Sequence, residues 1–284
     1  MKFGFVIMVD EARHVADMAY DAEQAGWDGI FVPELIWGVD AWVSLAAAAM
    51  RTNSIRLGTL LTPVSRRRPW TLAGEIATLD RLSNGRVILS VGLGATDTGF
   101  DKFGEETDRR KRAELMDEGL DILTGLWQGQ PFNYSGKHYR LEETTFYPPL
   151  PPIQQPRVPI WVVGAWPYKK SMRRVVRYDG LLPNVFKPDG QGAGQGTPED
   201  LRQMRSFVEG SFIEEAFTEE NRPLTTPFDF IIEGQTPGDD AAKAAEIIQP
   251  WAEAGATWWI EAMWAAEGID PIWARLKQGP PGVG

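Results

Sequence analysis

The chain has 284 residues, a length that fits two ordinary domains or one large barrel domain. Hydrophobic residues make up 43% and charged residues 24%, which excludes global disorder. The net charge of −10 disfavours nucleic acid and anionic membranes as partners. With no cysteine and 2 histidines, disulfides, thiolate nucleophiles and His-rich metal sites are not expected. No apolar run approaches membrane-spanning length, so we expect a cytoplasmic protein.

Short apolar runs alternate along the chain with longer stretches of helical spacing, a pattern typical of βα units. The predicted strands are Phe3–Met8, Gly29–Val32, Ile55–Leu61, Arg86–Val91, Ile160–Val163, Gly180–Asn184, Phe228–Ile232 and Thr257–Ile260. The predicted helices are Asp10–Ala25, Ala41–Met50, Trp70–Leu82, Arg109–Trp127, Lys169–Arg177 and Pro271–Leu276. Thr197 and Thr236 each precede a proline and an acidic residue, so they predict two further helix starts.

Eight strands, each followed by a helix and without a break in composition, predict an α/β protein with a single (β/α)8 TIM barrel across residues 1–284. A proline-rich segment between Pro148 and Pro159 lies in an insertion of about residues 129–158, between strands four and five. We expect this segment to be an extended connector. The glycine-rich loop 190–196 is expected to be a linker or a lid.

In a (β/α)8 barrel the chemistry lies at the carboxyl ends of the strands, and here those ends carry little charge. Glu34 and Glu261 are the candidate carboxylates. Such a mouth suits a planar ring that brings its own reactivity and is bound by backbone groups and stacking. Two other interpretations stay open. One is a sugar hydrolase that uses Glu34 and Glu261, with some of the 12 tryptophans as stacking platforms, and the other is a non-catalytic ligand-binding barrel.

Several segments resemble the bacterial luciferase-like superfamily of flavin- and deazaflavin-dependent oxidoreductases. They include WDGIFVPE, LDRLSNGR with the glycine-rich strand end that follows it, and PIWVVG after the proline-rich segment. The resemblance runs over about residues 1–185. It implies coenzyme F420 or FMN as cofactor, with RRRPW favouring F420, and hydride transfer or oxygen activation on a small organic substrate. It also implies a homodimer, and NAD(P)H or a partner reductase as a further partner.

The resemblance places the cofactor ring at the end of strand three, where it implies a non-prolyl cis peptide between Leu60 and Leu61, and the cofactor phosphate at a turn that opens a helix. Such a turn offers unpaired N–H groups and the positive end of the helix dipole. The cofactor-binding residues that the resemblance implies are Thr59, Leu60, Leu61, Thr62, Gly92, Leu93, Gly94, Gly164, Ala165, Trp166 and Asn184.

One departure from the family concerns the end of strand two. Relatives commonly have an acidic residue followed by histidine there, whereas this chain has Glu34 and Leu35. Glu34 is therefore the predicted catalytic residue, and Trp37 and Trp42 are candidates for a substrate wall. The run Arg66–Arg68 is expected to be a solvated helix start. His138, inside the insertion, is expected to be a hairpin residue with a structural hydrogen bond.

Overall fold

The computed structural model describes residues 1–129, 131–144, 150–186, 193–216 and 227–282. Its strands are β1 (Lys2–Val6), β2 (Gly29–Val32), β3 (Arg56–Thr59), β4 (Thr62–Pro63), β5 (Val87–Gly92), β6 (Phe132–Ser135), β7 (Arg140–Thr144), β8 (Ile160–Trp166), β9 (Gly180–Phe186), β10 (Ala193–Gly194), β11 (Asp229–Gly234) and β12 (Trp258–Glu261). Its helices are α1 (Ala12–Ala25), α2 (Ala41–Arg51), α3 (Pro69–Leu82), α4 (Arg109–Gln128), α5 (Lys169–Val176), α6 (Pro198–Ala216), α7 (Ala241–Ala254) and α8 (Ile269–Lys277). None of these described helices is both long and apolar enough to cross a membrane.

The predicted order of strands and helices agrees with these elements, and the bounds of several strands differ by one to three residues. The first strand stops at Val6 and does not reach Met8, and the fifth continues to Trp166. The third predicted strand is divided into β3 and β4, because the backbone turns at a cis peptide between Leu60 and Leu61. Of the glycine-rich loop, residues 190–192 lie outside the described residues, and Ala193–Gly194 form β10.

The chain divides into two compact units. The N-terminal unit contains Ile7–Tyr20 and Phe31–Pro159. The C-terminal unit contains Met1–Val6, Asp21–Ile30 and Ile160–Gly284.

In the C-terminal unit, five parallel strands pair in the order β8, β9, β11, β12, β1. Their residues are mostly apolar and buried on both faces, as expected for parallel strands covered by helices. The rings of Trp161 and Trp258 meet edge to face at 5.2 Å between their centroids. Helix α6 begins as predicted, because the Thr197 hydroxyl accepts from the Asp200 N–H while the Asp200 carboxylate accepts from the Thr197 N–H.

In the N-terminal unit, the first part of β5 pairs with β3, where Leu57 lies opposite Val87. The second part of β5 pairs with β4, where Thr62 lies opposite Val91. All six residues of β5 are buried. Helix α2 begins where the Asp40 carboxylate accepts from the Val43 N–H at 2.8 Å.

Two residues of the segment LDRLSNGR, Asp80 and Arg86, form hydrogen bonds that connect α2, α3 and the proline-rich segment in the N-terminal unit. Arg86 is buried, and its guanidinium donates to the Thr52 hydroxyl at 2.8 Å. It also donates to four backbone carbonyls near the C-terminal ends of α2 and α3, those of Ala49, Thr52, Ile55 and Ser83. The buried Asp80 carboxylate accepts from the Ile153 N–H, the Gln154 N–H and the Gln154 amide, at 2.7 to 3.1 Å. These bonds hold the proline-rich segment against α3, as expected for a structural connector.

We expect Asp80→Asn to lower the free energy of unfolding by about 2 kcal/mol, because the amide loses charge-assisted bonds and turns N–H groups toward the donors of residues 153 and 154. Urea denaturation measures this loss, and limited proteolysis should cut near the proline-rich segment sooner in the variant. Asp97→Asn, at an exposed position, is the matched control. Equal stability of both variants would contradict the role given to Asp80.

The hairpin of β6 and β7 is fastened to α4 by two glutamates. The Glu118 carboxylate accepts from the backbone N–H groups of Lys137, His138 and Tyr139 at 2.8 to 3.2 Å. The Glu114 carboxylate accepts from the Lys137 ammonium at 2.7 Å and contacts the His138 ring nitrogen Nε2 at 2.9 Å. The prediction that His138 is a hairpin residue with a structural hydrogen bond is confirmed.

The contacts of Glu114 with the hairpin should weaken in acid. The hydrogen bonds from Lys137 and His138 lower the pKa of Glu114 from 4.5 to about 2. A lowered pKa in the folded state stabilises the hairpin fully above pH 4.5, and the effect disappears as the pH falls toward 2. Amide hydrogen exchange in residues 132–139 should therefore speed up, relative to the rest of the chain, over that range. In Glu114→Gln the acid-dependent part of this change should be absent, and an unaltered profile would contradict the assignment.

Candidate functional site

Glu34, two residues after the end of β2 in the N-terminal unit, is surrounded by donors. Its Oε2 accepts from Trp42 Nε1 at 3.0 Å and from the Thr62 hydroxyl at 2.8 Å. Its Oε1 lies 3.5 Å from Arg66 and 3.7 Å from Arg67, and the side chain is 8% exposed. Both carboxylate oxygens are thus engaged by donors of the protein itself.

A chain of hydroxyls connects Glu34 with the turn between β3 and β4. The Thr59 and Thr62 hydroxyls are 2.9 Å apart on either side of the cis Leu60–Leu61 peptide. Because the Thr62 hydroxyl donates to Glu34, it accepts from Thr59. The Leu60 N–H donates to the Val32 carbonyl at 3.0 Å. This turn therefore contains four of the predicted cofactor-binding residues, Thr59–Thr62, and Glu34 fixes its position through the hydrogen bond from Thr62.

The arginine run after this turn is not a solvated helix start, so that expectation is wrong for two of its three members. Arg66 has a side chain only 7% exposed, and it donates to the Glu34 carbonyl at 2.8 Å. Burial lowers the pKa of Arg66, and the Glu34 carboxylate opposes this shift. Arg67 forms ion pairs with both Glu34 and Glu75. Burial raises the pKa of Glu75, and the charge of Arg67 opposes this shift. Arg68 alone of the three is exposed.

The predicted residues Gly92, Leu93 and Gly94 lie at the end of β5, of which Gly92 is the last residue, and beside the same turn. Pro63 is paired with Gly92 in the parallel register. A Cβ at Gly94, where φ is +74°, would lie 2.7 Å from the Phe100 ring, so a side chain does not fit there. From α4, Arg112 donates to the carbonyls of Leu93 and Gly94 at 2.8 and 3.0 Å. These bonds fix the position of the strand end.

The two tryptophans predicted as a substrate wall differ in exposure. Trp42 is buried and bonded to Glu34, so it supports the carboxylate and presents no open face. Trp37 is 84% exposed in the loop after β2, and Leu35 beside it is also exposed. Of the pair, Trp37 is accessible to a ligand.

In the C-terminal unit, the predicted residues Gly164, Ala165 and Trp166 end β8, and Ala165 is paired with Asn184 of β9. The Ala165 N–H already donates to the Ser171 hydroxyl at 2.9 Å, so the expected unpaired N–H is not found at this position. Gly164 is required by packing, since a Cβ there would lie 2.4 Å from Leu181 Cδ1.

Helix α5 nevertheless begins in a way that suits an anion. Its first residue follows Tyr168, which gives no side-chain cap. Lys169 and Lys170 stand exposed in the first turn. Helix N–H groups, the helix dipole and two ammonium groups together attract a phosphate.

Glu261, the second predicted carboxylate, is fully buried at the end of β12. It accepts from the Thr236 N–H at 2.6 Å, from the Thr236 hydroxyl at 2.7 Å and from Trp259 Nε1 at 3.2 Å, and lies 3.4 Å from Arg275. Thr236 is therefore a partner of this carboxylate. The prediction that it begins a helix is wrong, because Asp240 caps α7.

A third carboxylate at a strand end was missed by sequence reasoning. Glu233 is the penultimate residue of β11, one position beyond the predicted end of that strand. Its Oε2 accepts from Trp264 Nε1 at 3.2 Å, and its N–H donates to the Gln195 side chain at 2.9 Å. Burial raises the pKa of Glu233, and the bond from Trp264 opposes the shift. An acidic residue ending an apolar run, FIIE, was the available signal.

Sequence comparison matches residues 1–205 to the family model described as luciferase-like monooxygenase. A similar curated protein is an F420-dependent glucose-6-phosphate dehydrogenase of Nakamurella multipartita, 28% identical over 181 residues, which are 59% of this chain and 51% of that protein. The chain spans about half the length of the curated relatives it matches.

Two similar solved structures match nearly the whole chain. An F420-dependent secondary alcohol dehydrogenase in complex with an F420-acetone adduct has a TM-score of 0.76 at 18% identity, covering 99% of this chain and 98% of the other. The oxygenating constituent of 3,6-diketocamphane monooxygenase from Pseudomonas putida, in complex with FMN, has a TM-score of 0.72 at 15% identity, with 98% and 96% covered. These likenesses confirm the predicted (β/α)8 fold.

Proposed function

This chain belongs to the luciferase-like monooxygenase family, and from that premise we propose that it is an oxidoreductase that uses coenzyme F420 for hydride transfer on a small alcohol or carbonyl substrate. One observation carries the proposal beyond family membership. The two predicted strand-end carboxylates, Glu34 and Glu261, are each surrounded by donors of the protein, so neither is free as half of an acid–base pair. This arrangement supports a bound cofactor as the source of the reactive group.

The same observation disfavours the sugar hydrolase, which requires both carboxylates to be available to substrate and water. FMN-dependent oxygen activation is the second candidate, because one similar structure holds FMN. The named relatives with F420 favour the deazaflavin. We further propose that residues 1–284 are one luciferase-like domain, since similar structures match 98% to 99% of the chain.

The residues of the N-terminal unit fit a flat ring. The turn Thr59–Thr62 and the strand end Gly92–Gly94 offer small, apolar and backbone groups, held in place by Glu34 and Arg112. In the C-terminal unit, the uncapped start of α5 fits a phosphate, next to the predicted residues Gly164–Trp166. Bound F420 would supply hydride transfer, and the turn Thr59–Thr62 with the strand end Gly92–Gly94 would orient its ring.

A titration with three ligands tests the cofactor. We expect F420 to bind with a dissociation constant in the micromolar range, measured by its fluorescence, and FMN to bind more weakly. The double variant Lys169→Ala/Lys170→Ala should weaken F420 about tenfold but leave a deazaflavin without the phosphate tail unaffected. Arg173→Ala, exposed near the other end of α5, is the matched control. If neither F420 nor FMN binds, the proposed function is wrong. Binding without turnover of any substrate would support the non-catalytic barrel.

We also propose that the protein is a homodimer that pairs through α2. Val43 is 67% and Met50 71% exposed, and their spacing of seven places them on one face of the helix. Exposed apolar side chains at helical spacing favour burial against a second copy. Light scattering should give twice the chain mass, and Val43→Glu/Met50→Glu should give the single mass. A monomeric wild type would refute the proposal.

A further inference from the structure

The three carboxylates at strand ends differ in what holds them. Glu34 and Glu261 each have donors on both oxygens. For Glu233, the hydrogen-bond donor found within the described ranges is Trp264 Nε1, on one oxygen. An ionised carboxylate accepts about four hydrogen bonds, so Glu233 keeps acceptor capacity for a ligand.

The position of Glu233 also suits a ligand. It lies at the carboxyl end of β11, and ligands of (β/α)8 enzymes bind at the carboxyl ends of the strands. Its side chain is half-buried, and Trp264, which holds it, is 47% exposed. The backbone N–H of Glu233 donates to the Gln195 side chain, so the strand end is anchored while one carboxylate oxygen keeps its acceptor capacity.

We propose that the Glu233 carboxylate is the base that accepts the hydroxyl proton of an alcohol substrate, with the Trp264 ring beside the carbon skeleton of that substrate. This inference rests on the proposed function. Oxidation of an alcohol breaks its carbinol C–H bond, whose electron pair leaves as hydride to the deazaflavin, and its O–H bond, whose proton passes to Glu233 as the C=O double bond forms. In the reduction of a ketone the carboxyl returns the proton to the carbonyl oxygen.

The surroundings of Glu233 adjust it for this task. Burial disfavours the charged form and raises the pKa of Glu233, which makes the carboxylate a stronger base than an ordinary glutamate. The bond from Trp264 acts in the opposite direction, and no charged neighbour contributes to the shift within the described residues.

The titratable groups on elements near β11 have partners of their own. Asp200 is bonded to Thr197, and Arg205 to Glu209. On β12, Glu261 is bonded to Thr236. Of the strand-end carboxylates Glu233 and Glu261 in the C-terminal unit, Glu233 therefore keeps more acceptor capacity for a ligand.

At the end of strand two, the residue after Glu34 is Leu35, which cannot accept a proton. A proton acceptor is still needed when an alcohol becomes a carbonyl compound. Glu233 supplies it from a different strand end.

The test compares Glu233→Gln, Trp264→Phe and the control Glu267→Gln, an exposed position in the segment that contains Trp264. Each is assayed with F420 and a panel of 2-propanol, longer secondary alcohols and glucose-6-phosphate, and in reverse with the ketones and reduced F420. We expect Glu233→Gln to bind F420 within twofold of wild type and to lose about 100-fold in kcat/KM, together with the acidic limb of the pH profile. Trp264→Phe should move that limb to higher pH, because the carboxylate loses a donor. The control should match wild type.

A second measurement does not depend on turnover. In protein labelled with ¹³C at glutamate Cδ, the signal absent from Glu233→Gln should titrate above the ordinary range for glutamate, and at a higher pH still in Trp264→Phe. Ordinary titration of this signal would overturn the inference, as would F420 binding without oxidation of any alcohol or reduction of any ketone in the panel. Full activity of Glu233→Gln would overturn it and leave the proposed function standing. If F420 does not bind to wild type, the proposed function is wrong and the inference with it.

Discussion

Glu34→Ala is expected to lower the free energy of unfolding by about 3–5 kcal/mol, the usual effect of removing one partner from a buried ion pair. Arg66, with a side chain 7% exposed, would keep its charge without the carboxylate, and Trp42 and Thr62 would lose their acceptor. Denaturation in urea measures the loss. Because the same carboxylate holds the turn Thr59–Thr62, we expect the variant that does fold to bind F420 at least tenfold more weakly.

Glu34→Gln separates charge from shape. The amide oxygen can still accept from Trp42 and Thr62, so we expect a smaller loss of about 1–2 kcal/mol. If Glu34 acts only by holding the turn, this variant should keep most of its activity, whereas a catalytic Glu34 would lose most of it. Glu143→Ala, at an exposed position, is the matched control. A loss below 0.5 kcal/mol in Glu34→Ala, about the size of an ordinary surface effect, would contradict the ion-pair argument.

Arg86→Met should destabilise the protein by about 3–5 kcal/mol. Methionine fills much of the volume, but the carbonyls of Ala49, Thr52, Ile55 and Ser83 and the Thr52 hydroxyl all lose a buried donor. The loss should be measured at neutral pH by urea denaturation with circular dichroism.

The matched control is Arg81→Met in the same sequence motif. Arg81 is exposed, with a 3.2 Å bond to the Pro151 carbonyl, so its replacement should cost less than about 0.5 kcal/mol. Arg86→Lys should lie near Arg86→Met, because one ammonium cannot reach five acceptors. Similar losses for Arg81→Met and Arg86→Met would show that the bonds of Arg86 carry no special weight.

The order of strands and helices was predictable because apolar periodicity and helix caps are local signals. The capping box at the start of α6, formed by Thr197 and Asp200, has the reciprocal hydrogen bonds that its spacing predicts. The same kind of motif misled at Thr236, where a buried carboxylate 25 residues away uses both the N–H and the hydroxyl. A local propensity gives way when a tertiary partner offers a stronger bond.

The residues of the site were predictable in part. Composition and strand ends singled out Glu34, and the resemblance singled out the turn beside it, which Glu34 does contact. That Arg66 and Arg67 would be buried against Glu34 was not predictable, because a run of three arginines in an acidic chain indicates solvent exposure unless the fold is known. Glu233 was missed because its strand was ended one residue too early.

The bonds between Glu118 and the β6–β7 hairpin have a consequence for which substitutions this part of the chain tolerates over evolution. Glu118 recognises three consecutive main-chain amides, and nearly every amino acid has one. Substitutions at residues 137–139 can therefore remove the side-chain contacts with Glu114 while the bonds to Glu118 remain, with proline as the exception because it lacks the amide hydrogen. A tag or fluorophore attached at Lys137, the exposed member of the three, should leave the bonds to Glu118 in place.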